Sequence, residues 1–197
     1  MLKRTFDILA SLAGLIVLSP LFLVVALWIK CDSHGPVFYR QSRVGRHNKD
    51  FRLFKFRSMY VDSDKKGLLT VGGHDARVTK SGYFIRKYKV DELPQLINVL
   101  IGDMSFVGPR PEVRRYVDLY TDEQLHVLDV RPGITDRASV KYRNENELLA
   151  QAADPERYYV EVIMPDKLAI NLAYVAHHSV WSDIGIIFST FAAIGSK

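Results

Sequence analysis

Residues 8–29 carry no charged side chain, a run of about 22 residues. As a straight helix this run would be ~33 Å long, enough to cross the hydrocarbon core of a bilayer. A cleaved leader explains it poorly, because the run is too long and Lys30 follows it without a small-x-small cleavage site. A buried core helix would have to be apolar on every side, which is unusual. Ser19-Pro20 interrupts the run in its middle. Pro20 has no N–H, and its ring collides with the carbonyl of Ile16. The Ser19 hydroxyl can bond back to the carbonyl of Leu15, which eases the break. Two half-helices of ~16 Å result, each about half a bilayer deep.

The flanking charges bear on how this segment sits. Lys3 and Arg4 precede it, and Lys30, Arg40, Arg43 and Arg46 follow. Positive flanks stay cytoplasmic, so a straight span would send one basic end to the wrong side. A re-entrant hairpin that enters and leaves by one leaflet removes the conflict. A kinked single-pass anchor is the rival, since membrane helices tolerate proline. The expected location is a membrane, with both basic ends of the segment on its cytoplasmic face.

The remainder is globular in composition. The chain has 27 Lys and Arg against 22 Asp and Glu, a net charge of +5. The excess is concentrated between Lys30 and Lys89, where basic residues outnumber acidic ones about three to one. Such a stretch suits an anionic partner: lipid headgroups, nucleic acid or a phosphorylated substrate. The sole cysteine, Cys31, excludes an internal disulfide. His177 and His178 are neighbours whose side chains would not converge on a metal, and no zinc-type spacing is present.

Residues 37–44 and 51–59 read as the strands of a β-hairpin around a polar turn at 45–50. Lys55 and Arg57, two apart, would share one face of the second strand, with Phe54 and Phe56 on the other. Residues 61–82 are a glycine-containing loop. Residues 83–90 read as a short helix carrying Arg86 and Lys87, and 91–101 as an apolar helix stopped by Gly102. "GDMSFVGPRPE" is a stiff loop, and from about Val113 the chain is mainly helical. Asp154-Pro155 and Met164-Pro165 mark helix starts, and the apolar last stretch is either core or a helix at the membrane surface. The expected fold is α+β and mostly helical with a short β-hairpin. A membrane hairpin over residues 1–30 would precede a cytoplasmic domain with interfacial helices over 31–197.

The candidate chemistry lies in "KVDELPQ". Asp91 could simply cap a helix, accepting from the N–H of Leu93 or beyond, with Glu92 favoured in the first turn by the macrodipole. The cations nearby suggest more: Lys55, Arg57, Arg86 and Arg110. Pro109 and Pro111 leave Arg110 little backbone freedom, which suits a guanidinium gripping phosphate oxygens. A salt bridge to Glu112 or Asp103 would account for that arginine equally well. Several cations around an acidic pair suit phosphoryl transfer, with a carboxylate as nucleophile.

The segments "KRTFDILASLAGLIVLSP", "GPVFYRQSRVGR", "FKFRSM", "DARVTKSGYFIRK", "DELPQLINVLIGDMSFVGPRPE" and "VRPGIT" resemble, in order, those of the bacterial sugar transferases, the small monotopic phosphoglycosyl transferases. The resemblance covers most of residues 3–135. It implies transfer of a sugar-1-phosphate from a UDP-sugar to a polyprenyl phosphate such as undecaprenyl phosphate, with release of UMP. It implies Asp91 as the nucleophile that carries an aspartyl phosphosugar, and Glu92 as the group that helps deprotonate the acceptor. It implies Mg²⁺ held in part by Asp91, and phosphate contacts from Lys55, Arg57, Arg86 and Arg110. Ser19-Pro20 matches the helix break of a re-entrant membrane segment. The family context is surface glycan assembly, as in polysaccharide, lipopolysaccharide or capsule synthesis. The partners expected are the UDP-sugar, the polyprenyl phosphate and membrane lipid, with no nucleic acid; the oligomeric state is open, a dimer included. The sequence departs from the family after "GIT", where many relatives read Gly-Trp-Ala-Gln and this chain has Asp136, Arg137, Ala138 and Ser139. That loop could bear on which sugar is bound.

Two other readings stand beside this one. A membrane-anchored basic module without catalysis would bind anionic lipid or nucleic acid, and the acidic pair would be a liability to it. A glycosyltransferase moving the sugar alone would release UDP instead.

Overall fold

The computed structural model describes residues 2–63 and 75–195. Of the loop expected over 61–82, residues 64–74 lie outside the described residues. The chain opens with two helices, α1 (Leu2–Val17) and α2 (Ser19–Asp32), separated at Leu18. The Ser19 hydroxyl donates to the carbonyl of Ile16 at 2.8 Å, and not to that of Leu15 as expected. Ile16 is the residue whose carbonyl Pro20 leaves without its helical donor, so the serine fills the gap that the proline makes.

These helices are reversed in polarity relative to a water-soluble helix. The buried residues of α1 are Asp7 and Ser11, while Leu9, Ile16, Val17, Leu23, Val24 and Leu27 are each about 60% exposed or more. The polar face is turned to protein and the apolar face outward, a pattern that water would penalise and lipid would not. Both ends are tied to the same globular body. At the N-terminal end, Lys3 donates to the carbonyl of Val107 at 2.9 Å and pairs with Asp183 at 2.5 Å. Arg4 donates to the carbonyls of Val99 and Leu100, and Asp7 accepts from the N–H of Phe106 at 3.2 Å. At the other end, Asp32 accepts from the N–H and hydroxyl of Ser81, both at 2.8 Å.

The expected hairpin is present as β1 (Phe38–Val44) and β2 (Asp50–Phe56), antiparallel, with Tyr39 opposite Lys55. Its turn holds His47 and Asn48 in the left-handed region. The second strand ends at Phe56, three residues earlier than expected. Next come α3 (Lys80–Lys87), capped by the Thr79 hydroxyl, and a 3-10 turn over Val90–Glu92. The helix expected over 91–101 therefore begins later, as α4 (Gln95–Ile101), which Gly102 terminates at φ 103°. Asn98 fixes α4 to β2: its amide oxygen accepts from the N–H of Phe54 at 2.9 Å, and its nitrogen donates to the carbonyl of Arg52 at 2.8 Å.

The stretch expected to be only a stiff loop contains a strand, β3 (Ser105–Val107), which pairs in parallel with β4 (Gly133–Thr135). Between them lie α5 (Arg114–Val117) and α6 (Asp122–Leu125). Two short strands flanked by a single helical turn apiece carry too little periodicity to be read from sequence. Glycine makes the approach possible: a Cβ on Gly133 would lie 2.1 Å from the Gly108 nitrogen, inside any tolerable contact. The loop 108–111 is thereby laid directly against β4.

The C-terminal region is helical, with α7 (Arg137–Lys141), α8 (Glu145–Gln151), α9 (Pro155–Tyr158), α10 (Met164–His177) and α11 (Val180–Gly195). Asp154 caps α9 as its sequence suggested. Met164-Pro165 likewise opens α10, with Pro165 in its first turn, although a π-helical turn over Tyr159–Ile163 leads into it directly from α9. The main core packs Tyr116, Val127, Leu149, Tyr159, Ile163 and Leu168, and smaller clusters join α2 to β2 and α3, and β3 to α10 and α11. Among the described residues the fold is mostly helical with two small sheets and one long apolar N-terminal segment, close to the class expected.

Candidate active site

The turn that carries the acidic pair begins at Lys89, which adopts φ 57° and sends the chain out of α3 into the 3-10 turn. Asp91 is buried there, at 7% exposure. Neither this turn nor α4 has a side-chain cap, so the capping role is not the one Asp91 plays. Its Oδ1 is buried with no hydrogen-bond partner. Orphaned polar atoms of this kind are costly, and a carboxylate oxygen left so is a group kept available for something else.

Glu92 is the opposite case. Arg110 grips it with both nitrogens of its fork, Nη1 reaching Oε2 at 3.2 Å and Nη2 pairing with Oε1. Lys55 Nζ stands 3.9 Å from Oε1. Glu112 and Asp103, the alternative partners for Arg110, are engaged elsewhere: Glu112 by Arg43 and Tyr159, Asp103 by Asn98.

The electrostatics separate the two carboxylates. Burial, then the neighbouring Glu92, push the Asp91 carboxyl above its usual range, with Lys55, Arg86 and Lys89 opposing. Burial also acts upward on Glu92, but Arg110 and Lys55 outweigh it and hold that carboxyl well below its usual range. Burial brings the Lys55 ammonium down to about 8, Glu92 opposing this and Arg110 adding to it. Two adjacent carboxylates pushed in opposite directions can take different chemical roles.

Lys55 and Arg110 thus stand beside Glu92, and the charge of Arg86 acts on Asp91. Arg57 is engaged elsewhere. It is 4% exposed and donates to the carbonyl of Pro36 at 2.6 Å, the Ser33 hydroxyl at 2.7 Å and the Ser33 carbonyl at 2.8 Å. Because β2 ends at Phe56, the alternation that placed Arg57 beside Lys55 no longer holds, and the residue instead secures the end of α2. Asn98, which sets β2 against α4 and so Lys55 against Glu92, escaped the sequence reading; its only signal was an amide inside an apolar helix. Asp136 is also inside the protein, at 1% exposure, while Arg137 is exposed. The Asp136 carboxylate is thus engaged inside the protein, and Arg137 is the member of the divergent loop that faces outward.

No group of three or more His, Cys, Asp or Glu that could hold a metal occurs among the described residues. The free Asp91 oxygen nevertheless fits a Mg²⁺ ion, which commonly takes one or two carboxylates and completes its shell with substrate phosphate and water. A cavity of about 30 Å³ lies behind Arg110, lined in part by Pro109, Glu112 and Asn171. That volume holds about a water or two and not a nucleotide sugar.

The fold and site together define a protein docked to an apolar N-terminal helix pair, with a buried carboxylate pair ringed by cations. The chain belongs to the bacterial sugar transferase family, whose model matches residues 1–197. It is 41% identical over 196 residues to the UDP-N-acetylgalactosamine-undecaprenyl-phosphate N-acetylgalactosaminephosphotransferase of Aeromonas hydrophila. It is 38% identical over 194 residues to the UDP-glucose:undecaprenyl-phosphate glucose-1-phosphate transferase of Escherichia coli K12. These alignments cover 98% and 96% of this chain but only 43% and 39% of those proteins. The exopolysaccharide production protein PSS of Rhizobium leguminosarum bv. phaseoli is 40% identical, with 96% of this chain and 92% of that protein aligned.

Proposed function

We propose that this protein transfers a sugar-1-phosphate from a UDP-sugar to a polyprenyl phosphate such as undecaprenyl phosphate. The observation that carries this reading is the asymmetry of the acidic pair: Asp91 keeps a buried oxygen free while Glu92 is held by Arg110 and Lys55. The names of the relatives support the same substrates.

An Asp91 carboxylate oxygen attacks the sugar-bearing phosphorus. The bond from that phosphorus to the UMP oxygen breaks, and UMP leaves with its electron pair. The product is an acyl phosphate on Asp91 that carries the sugar. An oxygen of the ionised polyprenyl phosphate then attacks the same phosphorus, while Glu92, held ionised by Arg110 and Lys55, keeps those cations at the site rather than taking up a proton. The Asp91 carboxylate is released and the sugar diphospholipid forms. Lys55, Arg86 and Arg110 offset the charge of the phosphates at each step. Asp91 would also hold Mg²⁺, which supplies further neutralisation of the diphosphate when bound.

The reading places α1 and α2 in the membrane as a re-entrant pair, at the cytoplasmic face of a bacterial inner membrane. Their outward apolar faces and the attachment of both ends to one body support this. Trp28, Phe84 and Tyr88, in ring contact at 5.3 and 4.6 Å and half exposed, suit headgroup depth. The exposed Trp181, Phe188 and Phe191 of α11 suit the same surface.

The deciding experiment measures nucleotide release from a panel of UDP-sugars with Mg²⁺ and polyprenyl phosphate in detergent. UMP with one or a few donors supports the proposal. UDP would point to transfer of the sugar alone, and no nucleotide with any donor would favour a non-catalytic membrane module.

A further inference from the structure

Pro109 and Pro111 lack a backbone N–H, so Arg110 provides the one main-chain donor of this three-residue stretch. Asp136 takes it, its Oδ2 accepting at 2.8 Å. The same oxygen accepts from Asn171 Nδ2 on α10 at 3.1 Å, and Oδ1 accepts from the N–H of Ser139 in α7. An amide or hydroxyl would cap α7 as well as a carboxylate does. A buried carboxylate at 1% exposure is the more costly choice, and its second oxygen is what reaches Arg110.

Asn171 and Tyr174, three residues apart on α10, are both buried and lie on one side of that helix. The Tyr174 hydroxyl donates to Asp183 at 2.6 Å and stands 3.3 Å from the carbonyl of Val107. The strand and loop 107–110 are thus held against α10 at two points, at Val107 by Tyr174 and at Arg110 by Asp136 with Asn171.

We infer that Asp136 is a positioning residue for the active site: it fixes the backbone of Arg110 so that the guanidinium meets both oxygens of Glu92, and Asn171 fixes Asp136. The inference rests on the reading above that Arg110 and Glu92 serve the transfer.

The test is a double-mutant cycle in the full chain, using Asp136→Asn, Arg110→Lys and the pair. An asparagine at 136 offers one acceptor where two are needed. Asp136→Asn lowers kcat/KM for nucleotide release by about tenfold to a hundredfold, as small displacements of positioned groups do. In the Arg110→Lys background, where no fork remains to orient, it costs less than about twofold. Equal losses in both backgrounds, or wild-type kcat/KM in the single variant, overturn the inference. A readout without turnover separates this from failure of the proposed function. The Arg110 amide proton, bonded to a carboxylate, resonates downfield in the wild type and moves upfield in Asp136→Asn. An unmoved amide overturns the inference whether or not any donor is turned over.

Discussion

Arg110 donates to both carboxylate oxygens of Glu92, 18 residues earlier in the chain. The neighbouring Asp91 receives no such grip, and its Oδ1 is left buried and unpartnered. One carboxylate is thus spent on structure and electrostatics while the adjacent one is kept available. The consequences of removing each charge should have opposite signs.

Asp91→Asn is expected to abolish nucleotide release while leaving the melting temperature equal to or above that of the wild type. Burial and Glu92 already disfavour the charged form of Asp91, so neutralising it relieves a cost. Glu92→Gln should instead lower stability by about 1–3 kcal/mol, since it weakens charge-assisted bonds and leaves Arg110 under-paired. Thermal melts of both variants, run beside the UMP assay, check this. Substantial activity in Asp91→Asn removes that residue from the nucleophile role.

The ammonium of Lys55 supplies a pH dependence. Its value of about 8 lies below the ordinary 10.5. The positive charge is present below about 8 and is lost as pH rises through it, so donor KM should increase above that point. The stability contribution has the opposite slope. The unfolded chain holds this proton more firmly, so the group adds stability as pH rises from about 8 towards 10.5. Donor KM measured from about pH 6.5 to about 9.5 tests the first statement. Lys55→Arg, which stays charged, should flatten the profile; an unchanged rise in that variant assigns it to another group.

Lys3 Nζ meets the Val107 carbonyl, the Tyr174 hydroxyl and Asp183 in one cluster. Lys3→Ala leaves Asp183, at 8% exposure, without its cation. A loss of about 2 kcal/mol is expected, with Lys3→Ala/Asp183→Ala costing less than the sum of the single changes. Denaturation in detergent measures both, and strict additivity would remove the pair as the attachment of α1.

The helix break makes a prediction about topology. Cys31 is exposed and is the sole cysteine of the chain. In the re-entrant arrangement, neither Cys31 nor a cysteine replacing Leu2 in a Cys31→Ser background reacts with an impermeant thiol reagent added outside cells. Both react in inverted vesicles. Labelling of one end from each side would favour the kinked single span.

Much of this protein was legible along the chain. The uncharged run, Ser19-Pro20, the hairpin, the Asp91-Glu92 pair and the proline-locked Arg110 are local features. A break, a turn or a run needs only the neighbouring residues to define it. Arg57 shows where that reasoning stopped, because strand alternation predicts a face only while the strand continues, and β2 ends one residue before it. The parallel pairing of β3 and β4 joins Ser105 to Gly133, and the burial of Asp136 beneath Arg110 joins residues 26 apart. The inward polar face of α1 becomes evident only against its partners at Phe106 and Asp183. The sequence by itself determined the long apolar N-terminal segment and its break, which follow from hydropathy and backbone chemistry within a few residues, while Asp91 and Glu92 were singled out by the cations near them and by the resemblance to the family. The tertiary structure decided which carboxylate stays free, which cations reach the pair and what holds them there. Those outcomes depend on burial and on partners that only folding brings within hydrogen-bonding distance.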